Sequence, residues 1–206
     1  MFKSIICFLF AGTLLVASPA GVTLVNAGDG LNDGSFYVGP YTLSINGQNM
    51  AALCVDFNDD SQPPASWSAN VTRLSSAASA VPGLSQTYLG NAGLKQYEET
   101  AYLFNLITQP GADRIDIQHA VWSITNPDSF HANDAAQAFI DLANANYGSI
   151  NPNYFSIVSD VNFGDGRNQE FMISSAPEPS SLLLLGAGLF LLGTVARKRF
   201  TKSASA

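Results

Sequence analysis

A single thiol is the most reactive side chain in the middle of this chain. Cys54 is one of two cysteines, and the other, Cys7, lies in an N-terminal apolar segment typical of a secretory signal. Loss of that segment excludes an internal disulfide and a zinc site built on a cysteine cluster. A lone thiol outside the cytoplasm is buried as a small apolar residue, paired between chains or used in chemistry.

The element predicted to position Cys54 is a β-strand. Residues 50–57 are predicted to form a second strand after Asn46-Gly47, a strong hairpin turn signal that follows a predicted strand at residues 35–45. The apolar side chains expected on one face of the second strand are Leu53, Val55 and Phe57. Cys54 and Asp56 are therefore predicted to lie on the opposite face.

A predicted helix brings a carboxamide and an indole together. The helix begins near Asp113 and ends at Asn126-Pro127. The apolar stripe, spaced i, i+3, i+4, i+7, consists of Ile117, Ala120, Val121 and Ile124. Gln118 and Trp122 are spaced i, i+4 on neighbouring faces, so they are expected to share one local environment.

The strand sequence Leu53-Cys54-Val55-Asp56 and the helix sequence Ile117-Gln118-His119-Ala120-Val121-Trp122 together resemble the thioester domains of bacterial surface adhesins. The resemblance implies a bond from Cys54 to Gln118, with Trp122 and His119 in its environment. A thiolate would attack the carboxamide and expel ammonia, leaving an acyl thioester open to an amine or hydroxyl. Two positions depart from the family pattern, because Ile117 stands where Thr is common and Val55 where an aromatic residue is common.

Two other chemistries are less well matched by the residues. A cysteine hydrolase would pair Cys54 with His119 or His131, but a nucleophilic cysteine usually lies at a helix N-terminus rather than in mid-strand. The alternating oxygens of Asp56, Asn58 and Asp60 are typical of the start of a calcium loop, whose later glycine and glutamate are replaced by Ser61 and Trp67. We therefore expect a solvated acidic loop, no catalytic residue, no metal, no cofactor and no enzymatic turnover.

The remaining pattern predicts one α+β domain over residues 28–176, with a small antiparallel, barrel-like sheet and an inserted helical bundle. Further strands are predicted at residues 66–74, 154–163 and 169–174. Further helices are predicted from Gln96 to the Pro110-Gly111 break and over residues 133–144. Residues 75–93 are predicted to form a loop or a weak helix.

The N-terminus is typical of an exported protein. Lys3 precedes an apolar run, residues 5–16, that is too short to span a bilayer, so residues 1–27 are predicted to be a signal peptide. Small residues allow signal peptidase to cleave after Ala20 or after Ala27, and the prediction places the cut after Ala27.

The C-terminal 30 residues, 177–206, resemble the PEP-CTERM sorting signal handled by exosortases. Pro177-Glu178-Pro179 precedes an apolar segment at residues 180–196, which is predicted to span the membrane, and the basic tail Arg197, Lys198 and Arg199. The resemblance implies transient anchoring in the inner membrane of a Gram-negative, exopolysaccharide-producing cell. Cleavage near the Pro-Glu-Pro sequence would then release the chain or transfer it to the envelope.

The predicted mature domain is strongly acidic. Residues 28–176 carry four Lys and Arg against fifteen Asp and Glu, a net charge of −11, which argues against nucleic acid as a partner. We expect a surface or biofilm-matrix protein that bonds covalently to an amine- or hydroxyl-bearing surface or exopolysaccharide partner. The alternative is a structural or carbohydrate-contacting matrix protein with no thioester, which uses exposed aromatic residues such as Trp67 and Tyr88.

Overall fold

Six antiparallel strands close into a β-barrel. The structure, a computed structural model, describes residues 19–75, 81–162 and 167–175. In barrel order the strands are β1 (Ala20–Asn26), β2 (Tyr41–Ile45), β3 (Gln48–Cys54), β6 (Phe171–Ser174), β5 (Phe155–Asp160) and β4 (Ala65–Arg73). Strand β1 pairs with both β2 and β4, so the sheet has no free edge.

The β2–β3 hairpin turns where the sequence predicts. Asn46 and Gly47 both have positive φ, 50° and 86°, as a two-residue hairpin turn of the favoured handedness requires. Strand β2 is shorter than predicted, because residues 35–40 form a loop that is joined to the preceding segment by the Asn32–Tyr37 bridge. Pro40, which has no backbone N–H to donate, directly precedes β2.

Three helices are inserted between β4 and β5. They are α1 (Leu94–Ile107), α2 (Arg114–Thr125) and α3 (Asp134–Asn146), and each agrees with its predicted span to within about two residues. Asp113 caps α2 by accepting from the Asp116 backbone N–H, and Asn133 caps α3 by accepting from that of Ala136. Short 3₁₀ turns occupy Leu84–Gln86 and Gly90–Gly93. The α+β class is confirmed.

Strand β3 separates two apolar clusters. Leu53 and Val55 pack into the cluster between barrel and helices, whereas Cys54 lies in the cluster that fills the barrel interior with Trp67 and Phe171. The predicted opposition of Leu53 and Cys54 is therefore confirmed. The prediction that Phe57 continues the Leu53 face is wrong: β3 ends at Cys54, and Phe57 packs against the barrel-interior cluster.

Strand β1 lies inside the segment that the sequence assigns to the signal peptide. Val22 and Leu24 on this strand are buried in the barrel. Cleavage after Ala27 would remove all of β1 and open the barrel, whereas cleavage after Ala20 leaves the strand from its second residue onward. The fold therefore favours cleavage after Ala20, with a domain that begins before residue 28. Only residues 17–19 separate the apolar run of the signal from β1, and small residues at both ends of the strand allow cleavage, which is why the sequence pattern misses the strand.

Candidate functional site

Cys54 ends strand β3 and points into the closed barrel. The residue is fully buried and pairs with Phe171 on β6. Its Sγ donates a hydrogen bond to the backbone carbonyl of Asp56 at 3.1 Å. Burial raises the pKa of the thiol to about 12, and the Asp56 backbone and the Trp122 indole oppose this rise only in part. The thiol is therefore protonated at neutral pH.

Gln118 lies against the same strand end, on helix α2. Its side chain is fully buried, and its Nε2 donates to the Cys54 backbone carbonyl at 2.8 Å. Its Oε1 accepts from the Gly39 backbone N–H at 3.2 Å. The structure therefore brings the two residues of the predicted thioester together, with both ends of the carboxamide held by backbone groups.

Gly39 is a site residue that the sequence pattern did not indicate. A Cβ atom added there would lie 3.1 Å from Gln118 Oε1 and 3.1 Å from Leu53 Cδ1, closer than side chains ordinarily pack. Glycine therefore allows the 27–40 loop to approach the carboxamide closely. A Gly-Pro pair before a strand is too common a turn signal to indicate this contact on its own.

Trp122 lies over the site, one helical turn after Gln118. Trp122 is 2% exposed. Its Nε1 has no hydrogen-bond partner of ordinary geometry among the described residues. The indole nevertheless lies near enough to the Cys54 thiol to lower the pKa of that thiol. Four rings surround it with centroid distances of 5.3–5.9 Å, namely Phe36, Phe57, His119 and Phe130. Trp122 is therefore enclosed by aromatic rings, and its role in excluding water from a thioester stays a prediction.

The two histidines lie in different places. His119 Nε2 lies 2.7 Å from Asp33 Oδ2, and its ring stacks on the Trp122 ring. Its contacts with Asp33, Trp122 and Phe130 thus place it in the aromatic cover rather than at the Cys54 thiol. His131 is exposed in the segment before α3. A proton-transfer role for either histidine remains a prediction from the sequence.

A buried acidic network lies beside the Cys54 strand. Asp56, fully buried, forms an ion pair with Arg167 at 3.3 Å, and Arg167 also pairs with Asp59 at 2.5 Å. The prediction of a solvated acidic loop is therefore wrong for Asp56. Burial raises the pKa of Asp56 to about 6 even though Arg167 opposes the shift.

Glu170 forms the second part of this network. It accepts from Ser159 Oγ at 2.6 Å, from the Tyr88 backbone N–H at 2.8 Å and from the Tyr97 hydroxyl. Burial raises its pKa to about 7, against the lowering effect of these donors. No sequence spacing indicates this network, because its members come from β5, α1, the segment that follows β3 and the segments that precede α1 and β6.

The sequence predicts that Trp67 and Tyr88 are exposed aromatic residues, but the structure buries Trp67. Trp67 is buried in the barrel interior and stacks on Phe171 at 6.3 Å. It alternates with exposed residues along β4, so it faces inward. Tyr88 is 36% exposed, and the guanidinium of Arg167 lies over its ring at 4.7 Å.

The sorting elements lie outside the described residues. These elements are Pro177, Glu178, Pro179, the predicted membrane segment at residues 180–196 and the basic tail Arg197, Lys198 and Arg199. Within the part of the chain that the structure describes, every helix is too short or too polar to cross a membrane.

Comparison with known proteins bears on the C-terminus. Residues 175–199 match the PEP-CTERM protein-sorting motif. Neither the curated proteins nor the solved structures contain a significant match. The chain therefore carries a PEP-CTERM sorting motif at its C-terminus, which implies export, processing by an exosortase and passage across the membrane toward the cell surface.

Proposed function

We propose that this exosortase substrate carries an internal thioester between Cys54 and Gln118 and uses it once, as a covalent adhesin or matrix protein, to join an amine- or hydroxyl-bearing partner. The observation that carries the proposal is the 2.8 Å hydrogen bond from the Gln118 carboxamide to the backbone of Cys54. Both residues are fully buried, and a buried glutamine held against the backbone of a lone cysteine supports such a bond.

The first step is acyl transfer within the chain. Cys54 Sγ attacks Gln118 Cδ, an S–C bond forms, and the C–N bond breaks. The thiol proton moves to the departing nitrogen, which leaves as ammonia, so no oxidant or cofactor takes part. Negative charge develops on Oε1, where the Gly39 N–H already donates at 3.2 Å and stabilises it.

The burial of the thiol determines how this step proceeds. Because the pKa of Cys54 is raised to about 12, the thiol is protonated before the reaction. The attack therefore depends on proximity and not on a thiolate that is already present. Exclusion of water by Trp122 and its surrounding rings then protects the product from hydrolysis. The mechanism uses each group once, so the protein would act without turnover.

The second step joins the partner. An amine or hydroxyl attacks the Gln118 acyl carbon, an N–C or O–C bond forms, and the C–S bond breaks. The nucleophile loses its proton to the departing sulfur, which restores the Cys54 thiol. The partner becomes an amide or ester on the Gln118 side chain, and a single molecule of protein makes a single link.

Probe capture tests this function. The exported protein is incubated with a biotinylated primary amine or a biotinylated alcohol, digested and mapped by mass spectrometry. We expect a probe on Gln118 in the parent protein and none in Cys54→Ala. Gln137→Ala, which changes an exposed glutamine on α3, is the control and should be labelled like the parent. Labelling that persists in Cys54→Ala, or parent protein that takes up neither probe, would leave the non-covalent matrix protein as the better account.

A further inference from the structure

An aromatic cleft of about 290 Å³ opens beside Trp122, and its lining supplies none of the reacting atoms of the proposed acyl transfer. Cys54 and Gln118 are absent from its lining. The rings that line it are Phe36, Tyr37, Tyr41, Phe57 and Trp122. A cleft of this size is at the small end of the range for sites that bind small molecules.

Two of these rings face solvent more than aromatic side chains usually do. Phe36 is 46% exposed and Tyr37 is 44% exposed. Phe36 is held in place by edge-on contact with Phe57, at a centroid distance of 5.0 Å. Aromatic side chains that are both exposed and fixed by packing, next to a concave surface, are typical of a binding site.

The rim of the cleft is polar, and Asp60 is its one carboxylate without an ion-pair partner among the described residues. Asn58, Asp60 and Gln62 are exposed there, and both Asp60 carboxylate oxygens accept from Gln62 Nε2, at 3.0 Å and 2.8 Å. Asp59 is paired with Arg167. The lining includes no Lys or Arg. The rim therefore provides planar hydrogen-bonding groups with both donors and acceptors.

We propose that this cleft binds a neutral pyranose ring of a polysaccharide. The C–H face of such a ring packs on aromatic side chains, and its hydroxyls both donate to and accept from carboxylate and amide groups. An anionic sugar would meet no basic side chain in the lining and would approach a domain of net charge −11. An alkylammonium ion would have to displace the Gln62 amide from Asp60, because the other rim carboxylate, Asp59, is already paired with Arg167.

Binding is tested on the Cys54→Ala variant of the full chain, purified in a detergent without a sugar headgroup, so that no thioester contributes. The neutral probes are cellohexaose, laminarihexaose, xylohexaose and mannohexaose, and the charged probes are hexagalacturonate and n-butylammonium. Calorimetry and tryptophan fluorescence report saturable binding. We expect at least one neutral hexasaccharide to bind and both charged probes to fail.

Matched aromatic variants then assign the site. Phe36→Ala should weaken that binding about tenfold, because it removes one stacking face. Tyr154→Ala is the control, since Tyr154 is 40% exposed but does not line the cleft, and it should bind like its parent. Both positions are exposed, so both variants should fold, which thermal melting verifies. The proposal is overturned if no neutral hexasaccharide binds, if a charged probe binds in its place, or if the two variants behave alike. None of these outcomes bears on the thioester.

Discussion

The Gln118 side chain donates its amide hydrogen to the backbone carbonyl of Cys54, 2.8 Å away. The contact joins helix α2 to the end of strand β3 and runs through a region without solvent access, since both residues are fully buried. A buried carboxamide is stable there only when both of its ends are paired, and the Gly39 N–H supplies the second partner. The geometry of the site therefore depends on three separate segments of the chain.

Gly39→Ala should lower the yield of thioester. The new Cβ would lie 3.1 Å from Gln118 Oε1, so the carboxamide or the loop must shift by a few tenths of an ångström. Overpacking of this kind costs about 1–3 kcal/mol in the free energy of unfolding. Gly148→Ala, where an added Cβ meets nothing within 4 Å, is the matched control. Amine-probe uptake and urea unfolding measure the two effects, and equal behaviour of the variants would show that close approach at Gly39 is unimportant.

Protein stability should fall as the pH rises from about 4 to about 8. Burial raises the folded-state pKa of Glu170 to about 7 and that of Asp56 to about 6, above their values in the unfolded chain. A raised carboxyl pKa contributes stability that is complete below the unfolded value and lost as the pH passes the folded value. For Glu170 the loss is roughly 3 kcal/mol, because a tenfold change in proton affinity between the folded and unfolded chain is worth about 1.4 kcal/mol.

Glu170→Gln tests the source of this pH dependence. The amide keeps the shape of the side chain and removes its titration, so the slope of unfolding free energy against pH should become shallower. Urea unfolding at a series of pH values measures the slope. Exposed Asp141→Asn is the control and should leave it unchanged. An unchanged slope in Glu170→Gln would place the dependence elsewhere.

The mature protein should begin at Gly21. Strand β1 pairs on both sides and buries Val22 and Leu24, so its loss would expose two apolar side chains, each worth about 1.5–3 kcal/mol, and open the barrel. N-terminal sequencing of the exported protein identifies the cut. A mature chain beginning at Gly28 would contradict the closed barrel as the exported form.

Replacing Pro177 and Pro179 with Ala should leave unprocessed chain in the inner membrane. The replacement alters the Pro-Glu-Pro element of the sorting motif while leaving the apolar and basic elements that follow it. Immunoblots of separated membrane and extracellular fractions compare the variant with the parent. Pro152→Ala, in the 3₁₀ turn before β5, is a control for proline loss in the domain. A Pro-to-Ala double variant that matures as efficiently as the parent would contradict exosortase recognition of this element.

Local signals determined what the sequence could predict. Asn46-Gly47 fixes a hairpin because both residues accept positive φ, and the stripe that includes Ile117 and Val121 identifies α2 because its period matches the helix. Gln118 and Trp122 lie one turn apart on the same helix, as their i, i+4 spacing predicts. These features need no knowledge of distant segments, and each agrees with the structure.

The missed features depend on contacts between segments far apart in sequence. Gly39 meets Gln118 across 79 positions, and Tyr97 meets Glu170 across 73. The sequence predicts an exposed Trp67, but barrel closure turns it inward. The sequence pattern misses β1 because the strand begins three residues after the apolar run of the signal and before the predicted cleavage site at Ala27. Periodicity indicates which face of an element is apolar, but barrel closure decides what that face meets.

The mass of the freshly exported protein tests the thioester most directly. The parent, isolated without amines or reductant, should be lighter by one ammonia than its sequence and processing require. Cys54→Ala and Gln118→Ala should each show no deficit, and methylamine should add across the bond in the parent alone. Digestion should also recover the Cys54 and Gln118 peptides as a linked pair. Full mass in the parent, with Cys54 recovered as a free thiol, would contradict the covalent account.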